Sequence, residues 1–457
     1  MCRLARFTLY FNFSRCRRLS HLCLPQEAIK LTNNHQIWVI AMLPVQEAQS
    51  IILDLVQPFE QIDTEIVELW DATGRILAQT ITSQLDFPHW DNSAMDGYAV
   101  RYLDVQASNA QNPAVLEVIE EISAGYQPQL SLQPGQASRI FTGACLPKGA
   151  DTVVMQEVTK REGSRVFILE APAPQAFVRH RASYYQAGTA LLMPGIRLNA
   201  PEIAVLAAAG CHKLSVYRRP RVAILSTGDE LVSIEQTLQP GQIIDSNQYA
   251  LAAFVRQRGG IPQLLGIVPD QPEALKAAIS EAISNSDLVL STGGVSVGDY
   301  DYVDQILAQL GAQIQIRSVA VKPGKPLTVA TFTADTGLNR PVLYFGLPGN
   351  PVSALVSCWR FVQPALAKLS GLSESNWMPM FVKARSLNDL KANGRLETYH
   401  WGQLKIDAMG NSEFHLAGGT QNSGNLINLA GTTGLAIVPV GEKLISAGEF
   451  VQVLPVD

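Results

Sequence analysis

The sequence predicts a multidomain protein of the α/β-plus-β class, in which a central doubly wound α/β domain is flanked by units built mainly of strands. Strand-like and helix-like segments alternate over residues 218–370, a pattern typical of βαβ units and of a parallel sheet covered on both faces. Residues 85–170 are rich in valine, isoleucine and turn residues and contain no long helical pattern, which indicates a β-rich module. Short β segments return after Asn376 and favour a small barrel or sandwich at the C-terminus.

Two helices and one strand-like stretch are predicted outside these regions. Residues 45–56 carry apolar side chains at helical spacing, and Pro58 lies just beyond the predicted end. Residues 66–81 show a strand-like pattern. After a proline-rich connector at 171–174, residues 201–209 form a second predicted helix that Gly210 ends.

The elements of the two later regions follow from the same periodicities. The predicted strands of the α/β region are 222–225, 264–268, 288–290, 314–321 and 342–345, and its predicted helices are 249–258, 273–283, 303–310 and the segment from 352 onward. The predicted C-terminal strands are 381–384, 400–406, 434–438 and 450–454.

Composition excludes several classes of protein. The chain has 457 residues, enough for two to four domains, and 47% of them are hydrophobic. No run of roughly 20 apolar residues is present, so no membrane span and no membrane partner are expected. The formal net charge is −5, and residues 1–41 carry six basic side chains and one acid, so the remainder stands at −10. That balance argues against nucleic acid as a partner, and the sparse, widely spaced cysteines favour a cytoplasmic location.

The basic extension at residues 1–41 is compatible with two interpretations. It is arginine-rich and poor in acids, as organellar targeting segments are. Alternatively, it is disordered or not native, because Met42 directly precedes a clean amphipathic helix and could be the true start. Both interpretations stay open.

Four loops of the α/β region follow predicted strands, at the edge where open sheets bind ligands. They are 226–230, 291–301, 322–326 and 346–353. The second is glycine-rich and offers backbone N–H groups to an anion, while Asp299 and Asp301 in the same loop would repel a bare phosphate. Donors and acids in one loop indicate a divalent cation between acid and oxyanion, which points to a phosphorylated ligand with Mg²⁺.

Charge suggests a role for each of these loops. Lys322 and Lys325 are point cations suited to a tetrahedral oxyanion, and their flanking prolines would stiffen the loop. Four carboxylates, of Asp229, Glu230, Asp299 and Asp301, can hold Mg²⁺ or orient a water molecule. For Asp301, the role of helix N-cap is an equal alternative. Ser296 and Ser353 can donate to oxyanions or serve only as turn residues.

The β-rich module has a constellation of its own at residues 91–99, where small residues and two acids precede a strand. A further polar turn follows at 139–144. Periodicity does not connect either segment with the loops of the sheet.

Seven motifs, taken together and in this order, resemble the molybdopterin molybdenumtransferase family, which comprises the bacterial MoeA-type enzymes and the E domain of gephyrin and its plant counterpart. They are Asp-Asn-Ser-Ala-Met-Asp-Gly-Tyr-Ala at 91–99, Phe-Thr-Gly-Ala at 141–144, Ser-Thr-Gly-Asp-Glu-Leu at 226–231, Gly-Gln-Ile-Ile-Asp-Ser-Asn at 241–247, Gly-Gly-Val-Ser-Val-Gly-Asp-Tyr-Asp at 293–301, Lys-Pro-Gly-Lys-Pro at 322–326 and Gly-Leu-Pro-Gly-Asn-Pro-Val-Ser at 346–353. The likeness runs from about Met42 to the C-terminus, so it is far more specific than any single motif.

The resemblance implies a division into four domains that follow the basic extension. These are a discontinuous α+β linker domain at 42–86 and 186–217, a β-rich domain at 87–185, a molybdopterin-binding type of α/β domain at 218–370 and a small β-barrel domain at 371–457. It also implies a reaction, in which adenylylated molybdopterin and molybdate are the substrates, Mg²⁺ supports the release of AMP, and molybdenum stays on the dithiolene sulfurs.

The resemblance further implies a homodimer whose active site is shared between the α/β domain of one subunit and the β-rich domain of the other. Asp96 and Thr142 would then act from the partner subunit. The other catalytic residues implied, Asp229, Glu230 and Asp301, belong to the subunit that contributes the α/β domain. The substrate-binding residues implied are Ser226, Gly228, Gly293, Gly294, Ser296, Lys322, Lys325, Asn350 and Ser353.

One segment departs from the family pattern. Members commonly carry Arg-x-x-Gly-Glu-Asp where this chain reads Arg179-His180-Arg181-Ala182-Ser183-Tyr184. Aligned on the following Ala187-Gly188, the acidic pair is replaced by Ser183 and Tyr184, and the alternative alignment shifts Arg179 and Arg181. If the pair is replaced, either another acid substitutes for it or turnover is altered.

Two alternative functions are compatible with part of the sequence. A molybdopterin adenylyltransferase resembles only the α/β domain, and the surrounding modules weigh against it. A non-catalytic scaffold of the gephyrin type would need a peptide-binding groove and would release no AMP.

Overall fold

The computed structural model describes residues 42–294, 302–333 and 340–456. The predictions for Ser296, Asp299 and Asp301, including the N-cap role of Asp301, lie outside these residues. No helix within the described ranges is long and apolar enough to cross a membrane.

A six-stranded sheet forms the α/β region. Its strands, in spatial order, are Ile261–Val268, Arg221–Thr227, Leu288–Thr292, Val342–Leu347, Pro326–Phe332 and Gln313–Ser318. The first four are parallel, and Pro326–Phe332 runs antiparallel to both of its neighbours. The prediction of a wholly parallel sheet, with no strand at 326–332, is therefore wrong at this edge. Only seven residues separate the last two strands along the chain, too few for the crossover that a parallel pair requires.

Helices cover both faces of this sheet, as predicted. They are Asn247–Gln257, Pro272–Asn285, Tyr302–Gln309 and Pro351–Ser357, the last continuing through a π-helical turn at Cys358–Val362 into Gln363–Leu369. Leu251 packs with Val222 on one face, whereas Ile279 packs with Ala223 on the other. Adjacent strand residues thus belong to two separate hydrophobic cores, one on each face of the sheet, which is the pattern of a doubly wound fold.

Two separated segments meet in a smaller α+β unit. Strand Thr64–Glu68 pairs with Lys213–Tyr217, and Ile81–Thr82 pairs with Ala190–Leu192. The helix of this unit is Ala200–Ala208, which Asn199 caps reciprocally with Glu202. The first helix, Val45–Leu55, instead packs into the core of the α/β region. Of the strand-like stretch predicted at 66–81, only the two ends form strands, because a short 3₁₀ helix and a glycine turn interrupt it.

The region between these segments is a β module, as predicted. Its six-stranded sheet has the spatial order Thr152–Met155, Gly97–Val100, Gln136–Ile140, Ala114–Ile122, Arg165–Ile168 and Thr159–Glu162, and Asn92–Ser93 pairs with Val178–Arg179 outside it. The helices described in this module are short: the four-residue α-helical turn Tyr102–Val105 and the 3₁₀ helix Gln156–Val158.

Five C-terminal strands close into a barrel. They are Glu397–Ile406, Ser412–Leu416, Val382–Ser386, Phe450–Pro455 and Gly434–Val438, each paired with the next and the last with the first. Two short strands, Leu390–Lys391 and Leu444–Ile445, form an antiparallel pair beside it. The predicted small barrel is confirmed. The domain boundaries themselves stay a prediction.

Candidate functional site

A cleft of about 1060 Å³ lies between the ligand-binding edge of the α/β sheet and the C-terminal barrel. All four of the predicted loops contribute to it through their described residues. The lining residues from the sheet are Thr227, Glu230, Leu231, Ile243, Asn247, Thr292, Gly293, Gly294, Val321 to Pro326, Pro348 to Asn350 and Ser353. The loops meet because the strands that precede them end at one edge of the sheet.

The segment that carries the two lysines is held from both sides of the cleft. Strand Val321–Lys322 pairs in parallel with Glu397 and Thr398 at the beginning of the barrel's longest strand. The backbone N–H of Glu397 also donates to the carbonyl of Ala320 at 3.0 Å. The barrel therefore fixes the position of the lysine loop as well as covering the cleft.

Lys322 and Lys325 are exposed in the cleft, and neither forms an ion pair within the described parts of the chain. Two ammonium groups without a carboxylate partner leave local positive charge that an anion can neutralise. This arrangement is compatible with an anion-binding role for both residues, which stays a prediction.

The glycine turn at the centre of the cleft tolerates no side chain at its first position. Gly293 has φ +89°, and a Cβ there would lie 2.1 Å from the carbonyl oxygen of Thr227. The hydroxyl of Thr227 is buried at the cleft wall, with no hydrogen-bond partner among the residues described. Because a buried hydroxyl rarely stays unsatisfied in a protein, this atom is a candidate contact for a ligand or water.

Three carboxylates gather at one lip of the cleft. Asp229 and Glu230 are exposed, and an oxygen of Asp229 accepts the backbone N–H of Asp270 at 3.2 Å. Burial, followed by the negative charges of Asp229 and Glu230, raises the pKa of Asp270. The excess of negative charge suits a cation chemically. However, no group of three or more potential ligands forms a metal site within the described ranges, and the predicted partners Asp299 and Asp301 lie outside them.

The remaining predicted ligand contacts differ in position. Ser353 and Asn350 line the cleft, and the Asn350 amide donates to the Ser423 hydroxyl at 3.3 Å. Ser226 does not line it: its hydroxyl is buried 3.0 Å from that of Thr292, where it joins two strands. Gly228 does not line it either, and the Glu230 carboxylate folds closely over this glycine. For these two residues the structure shows a supporting position.

Asp96 and Thr142 are brought together in the β module. One carboxylate oxygen of Asp96 accepts both the backbone N–H and the hydroxyl of Thr142, each at 2.7 Å. These two bonds, the backbone bond first, lower the pKa of Asp96. Neither residue lines the cleft of its own chain.

The segment with the unusual sequence lies near two acids. Arg181 pairs with Asp86 at 2.6 Å, and its backbone N–H donates to Asp91 at 2.7 Å. Tyr184 is 71% exposed. Two carboxylates, one from the end of the preceding segment and one from the β module, thus lie beside Arg181, two residues before Ser183, and both accept hydrogen bonds from Arg181.

Sequence reasoning missed the second wall of the cleft, which belongs to the barrel. Its polar residues are Asp389, Lys391, Thr398, His400, Gln421, Asn422 and Ser423. The polar run at 420–425 was the available signal, but nothing in the strand pattern connected it with the sheet. Contacts between domains leave no periodic trace in a sequence.

Comparisons with known proteins agree with this architecture. The family model described as the MoeA N-terminal region (domains I and II) matches residues 43–210, a probable molybdopterin binding domain matches 223–368, and the MoeA C-terminal region (domain IV) matches 383–456. The crystal structure of a molybdopterin biosynthesis MoeA protein from Pyrococcus horikoshii OT3 superimposes with a TM-score of 0.77 at 29% identity, covering 91% of this chain and all of that one.

Curated relatives are more similar in sequence. A molybdopterin molybdenumtransferase from Nostoc sp. (strain PCC 7120) is 61% identical over 414 residues, 90% of this chain and 94% of the relative. The enzyme of the same name from Haemophilus influenzae is 35% identical over 422 residues, 91% of this chain and 98% of the relative.

Fold and cleft together define a multidomain protein built around a molybdopterin-binding type of α/β domain. The chain belongs to the molybdopterin molybdenumtransferase family, and it is a transferase. The resemblance predicted from the seven motifs is confirmed.

Proposed function

We propose that this chain inserts molybdenum during molybdenum cofactor biosynthesis, taking adenylylated molybdopterin and molybdate and releasing AMP. Membership of the family supports the reaction class. The observation that supports the substrates best is the cleft itself, in which two lysines without an ion-pair partner in the described chain face the glycine turn. Molybdate is a tetrahedral dianion, and the substrate's phosphates are also anionic, so both require such a surface.

The chain's own residues would bind and orient the two substrates. Lys322 and Lys325 hold the oxyanion by charge-assisted hydrogen bonds, and the Thr227 hydroxyl supplies a donor that the described protein leaves unused. Ser353 contributes a second hydroxyl from the first turn of its helix. These groups are preorganised by the sheet and by the barrel strand that pairs with Lys322.

We propose Mg²⁺ as the cofactor, held by Asp229 and Glu230 with Asp299 and Asp301. Burial and then the negative charges of Asp229 and Glu230 raise the pKa of Asp270, and these two neighbouring charges support a cation at this lip. When bound, magnesium would neutralise the phosphates of the adenylylated substrate.

The dimer is likewise part of the proposal. The Asp96–Thr142 pair is a carboxylate held ionised on an exposed turn, yet it lies away from the cleft of its own chain. A homodimer in which this pair faces the partner's cleft gives it a catalytic role there as an ionised carboxylate. We propose a cytoplasmic location, because the described cysteines Cys145, Cys211 and Cys358 are free thiols.

The test is release of AMP from adenylylated molybdopterin by a chain beginning at Met42, measured with and without magnesium and molybdate. We expect release only when both are present. Release without molybdate, or none under any condition while receptor-derived peptides bind, would replace the proposal with a different enzyme or a scaffold. Formation of adenylylated molybdopterin from ATP would instead identify an adenylyltransferase.

A further inference from the structure

The barrel contributes a third lysine, Lys391, to the lining of the cleft, in addition to Lys322 and Lys325 of the loop that follows the sheet strand. Its side chain is exposed in the cleft and forms no ion pair within the ranges that the structure describes. It is the single cation that the barrel contributes to the described lining of the cleft, apart from the histidine discussed below.

The backbone of Lys391 is fixed from two directions. Leu390–Lys391 pairs with Leu444–Ile445, and the carbonyl of Lys391 accepts a hydrogen bond from Nε2 of His400 at 3.0 Å. His400 lies in the long barrel strand, two residues after Thr398, which pairs with Lys322. One strand therefore sets the spacing between the lysine of the barrel and the lysines of the sheet.

His400 itself does not supply the charge. It is buried, and this burial, with a contribution from the nearby positive charge of Lys322, lowers its pKa. The Nε2–H donation to the Lys391 carbonyl is compatible with a neutral imidazole that carries its proton on Nε2. The histidine thus acts as a spacer, and Lys391 carries the cationic function.

The acids of the described lining leave Lys391 available. Asp389 accepts the backbone N–H of Ala447 at 2.9 Å, and Glu230 lies with Asp229 at the lip of the sheet. Neither forms an ion pair with Lys391. The described lining of the cleft thus contains two lysines from the loop 322–326 and one from the barrel.

We propose that Lys391 is a second anion-binding site in the cleft and holds a phosphate group of the substrate, while Lys322 and Lys325 hold the tetrahedral oxyanion. This inference rests on the proposed function, because it divides that function's two anionic substrates between the two walls. A dianion neutralises the lysine pair of the sheet, so a phosphate bound at the same time needs a cation of its own. The substrate then bridges the α/β domain and the barrel.

The test measures binding rather than turnover. Inorganic pyrophosphate and sodium molybdate are titrated separately, by calorimetry, into the wild-type chain and the Lys391→Ala, Lys391→Arg and Lys405→Ala variants. Lys405 is an exposed lysine of the same barrel, outside the cleft, and serves as the matched control. We expect Lys391→Ala to weaken pyrophosphate binding by about tenfold or more, the value of one charge-assisted hydrogen bond, and to change molybdate binding by less than about twofold. Lys391→Arg retains most of the pyrophosphate affinity.

Three results would overturn the proposal: no binding of pyrophosphate to the wild type, equal binding by the Lys391→Ala and Lys405→Ala variants, or an equal loss of both ligands in Lys391→Ala. The assay is independent of AMP release. A wild-type chain that releases no AMP but binds pyrophosphate through Lys391 would refute the proposed function and retain this site. If the wild-type chain releases AMP but the Lys391→Ala variant binds pyrophosphate as tightly as the wild type, the proposed function is retained and the Lys391 site is refuted.

Discussion

Single residues at two places in this chain have contacts that define what a substitution should do. Thr142 donates two hydrogen bonds to one oxygen of Asp96, one from its backbone and one from its hydroxyl. Gly293 occupies a left-handed conformation against the carbonyl of Thr227. The first contact affects the ionisation of the Asp96 carboxylate, and the second leaves no space for a side chain at position 293.

Removing the hydroxyl of Thr142 should raise the pKa of Asp96. The Thr142→Val variant loses the side-chain bond that stabilises the ionised carboxylate but keeps the stronger backbone bond, so the pKa moves only part of the way back to its ordinary value. A pH titration of ¹³C-labelled aspartate by NMR would measure the shift. Thr142→Ser keeps the hydroxyl and is the control, and an unchanged pKa in Thr142→Val would show that the hydroxyl has no influence on the carboxylate.

A methyl group at position 293 should be costly, because the carbonyl of Thr227 cannot rotate away as a flexible side chain can. Gly311→Ala is a matched control, since Gly311 has φ +81° and open space around its Cβ position. We expect a loss of about 1 kcal/mol in the free energy of unfolding for Gly311→Ala, from backbone strain alone, and about 3 kcal/mol for Gly293→Ala. Urea denaturation measures both, and equal losses would contradict the close approach.

At the scale of elements, a buried ionic network ties the α+β unit to the sheet. Asp287 is fully buried and accepts both terminal nitrogens of Arg218, at 2.6 and 2.7 Å. Asp63 accepts two bonds from Arg340, at 2.5 and 2.7 Å, and one from Arg218 at 3.2 Å. Both arginines stack over the ring of Phe59. Arg218, Asp287 and Arg340 each precede a parallel strand of the sheet, so the network lies at the edge opposite the cleft.

Neutralising Asp287 should therefore affect stability rather than ligand binding. Asp287→Asn leaves the guanidinium of Arg218 without its bidentate carboxylate, at an expected cost of about 3 kcal/mol in the free energy of unfolding. Asp54→Asn, an exposed carboxylate in the first helix, should change it by less than about 0.5 kcal/mol. Denaturant unfolding measures both variants, and calorimetric titration with molybdate should give unchanged affinity for Asp287→Asn. A loss of affinity without a loss of stability would contradict this assignment.

The same network predicts the response to acid. Burial raises the pKa of Asp63, but the hydrogen bond from Arg340 and the charges of Arg340 and Arg218 outweigh burial, so the pKa is lowered overall. The stability that this carboxylate contributes is present above the ordinary pKa of aspartate and is lost as the pH falls through the lowered value.

At the scale of the whole molecule, the proposed dimer predicts that two inactive variants recover activity when their subunits are mixed. Asp96→Asn and Lys322→Ala should each inactivate their own homodimer. If the active site is shared, a mixed dimer contains one site with both residues intact and one with neither. Mixing the two variants under conditions of subunit exchange should restore about a quarter of the wild-type AMP release. If a mass-tagged subunit verifies the exchange and no AMP release is recovered, both residues act in the active site of their own chain.

Much of the fold was predictable, because periodicity reports the local environment of each segment. The alternation of helices and strands over 218–370 predicted the doubly wound domain, and the run of apolar residues 288–290 predicted a central strand. The strand Pro326–Phe332 was missed because its first residue belongs to the motif 322–326, which was interpreted as a loop. Its antiparallel direction was missed because the short connection to the preceding strand sets that direction, and the residues of the strand do not.

What the sequence determined by itself was the set of chemical groups: lysines in a proline-stiffened loop, a glycine turn that excludes a side chain, and acids after a strand. Those features are local, and each acts through a few neighbouring residues. What only the tertiary structure decided was which groups meet. It brought Lys391 and His400 of the barrel into the cleft that Lys322 also lines, put Ser226 inside the sheet, and joined Asp96 to Thr142. Such pairings depend on packing between domains and on strand register, which bring together residues far apart along the chain.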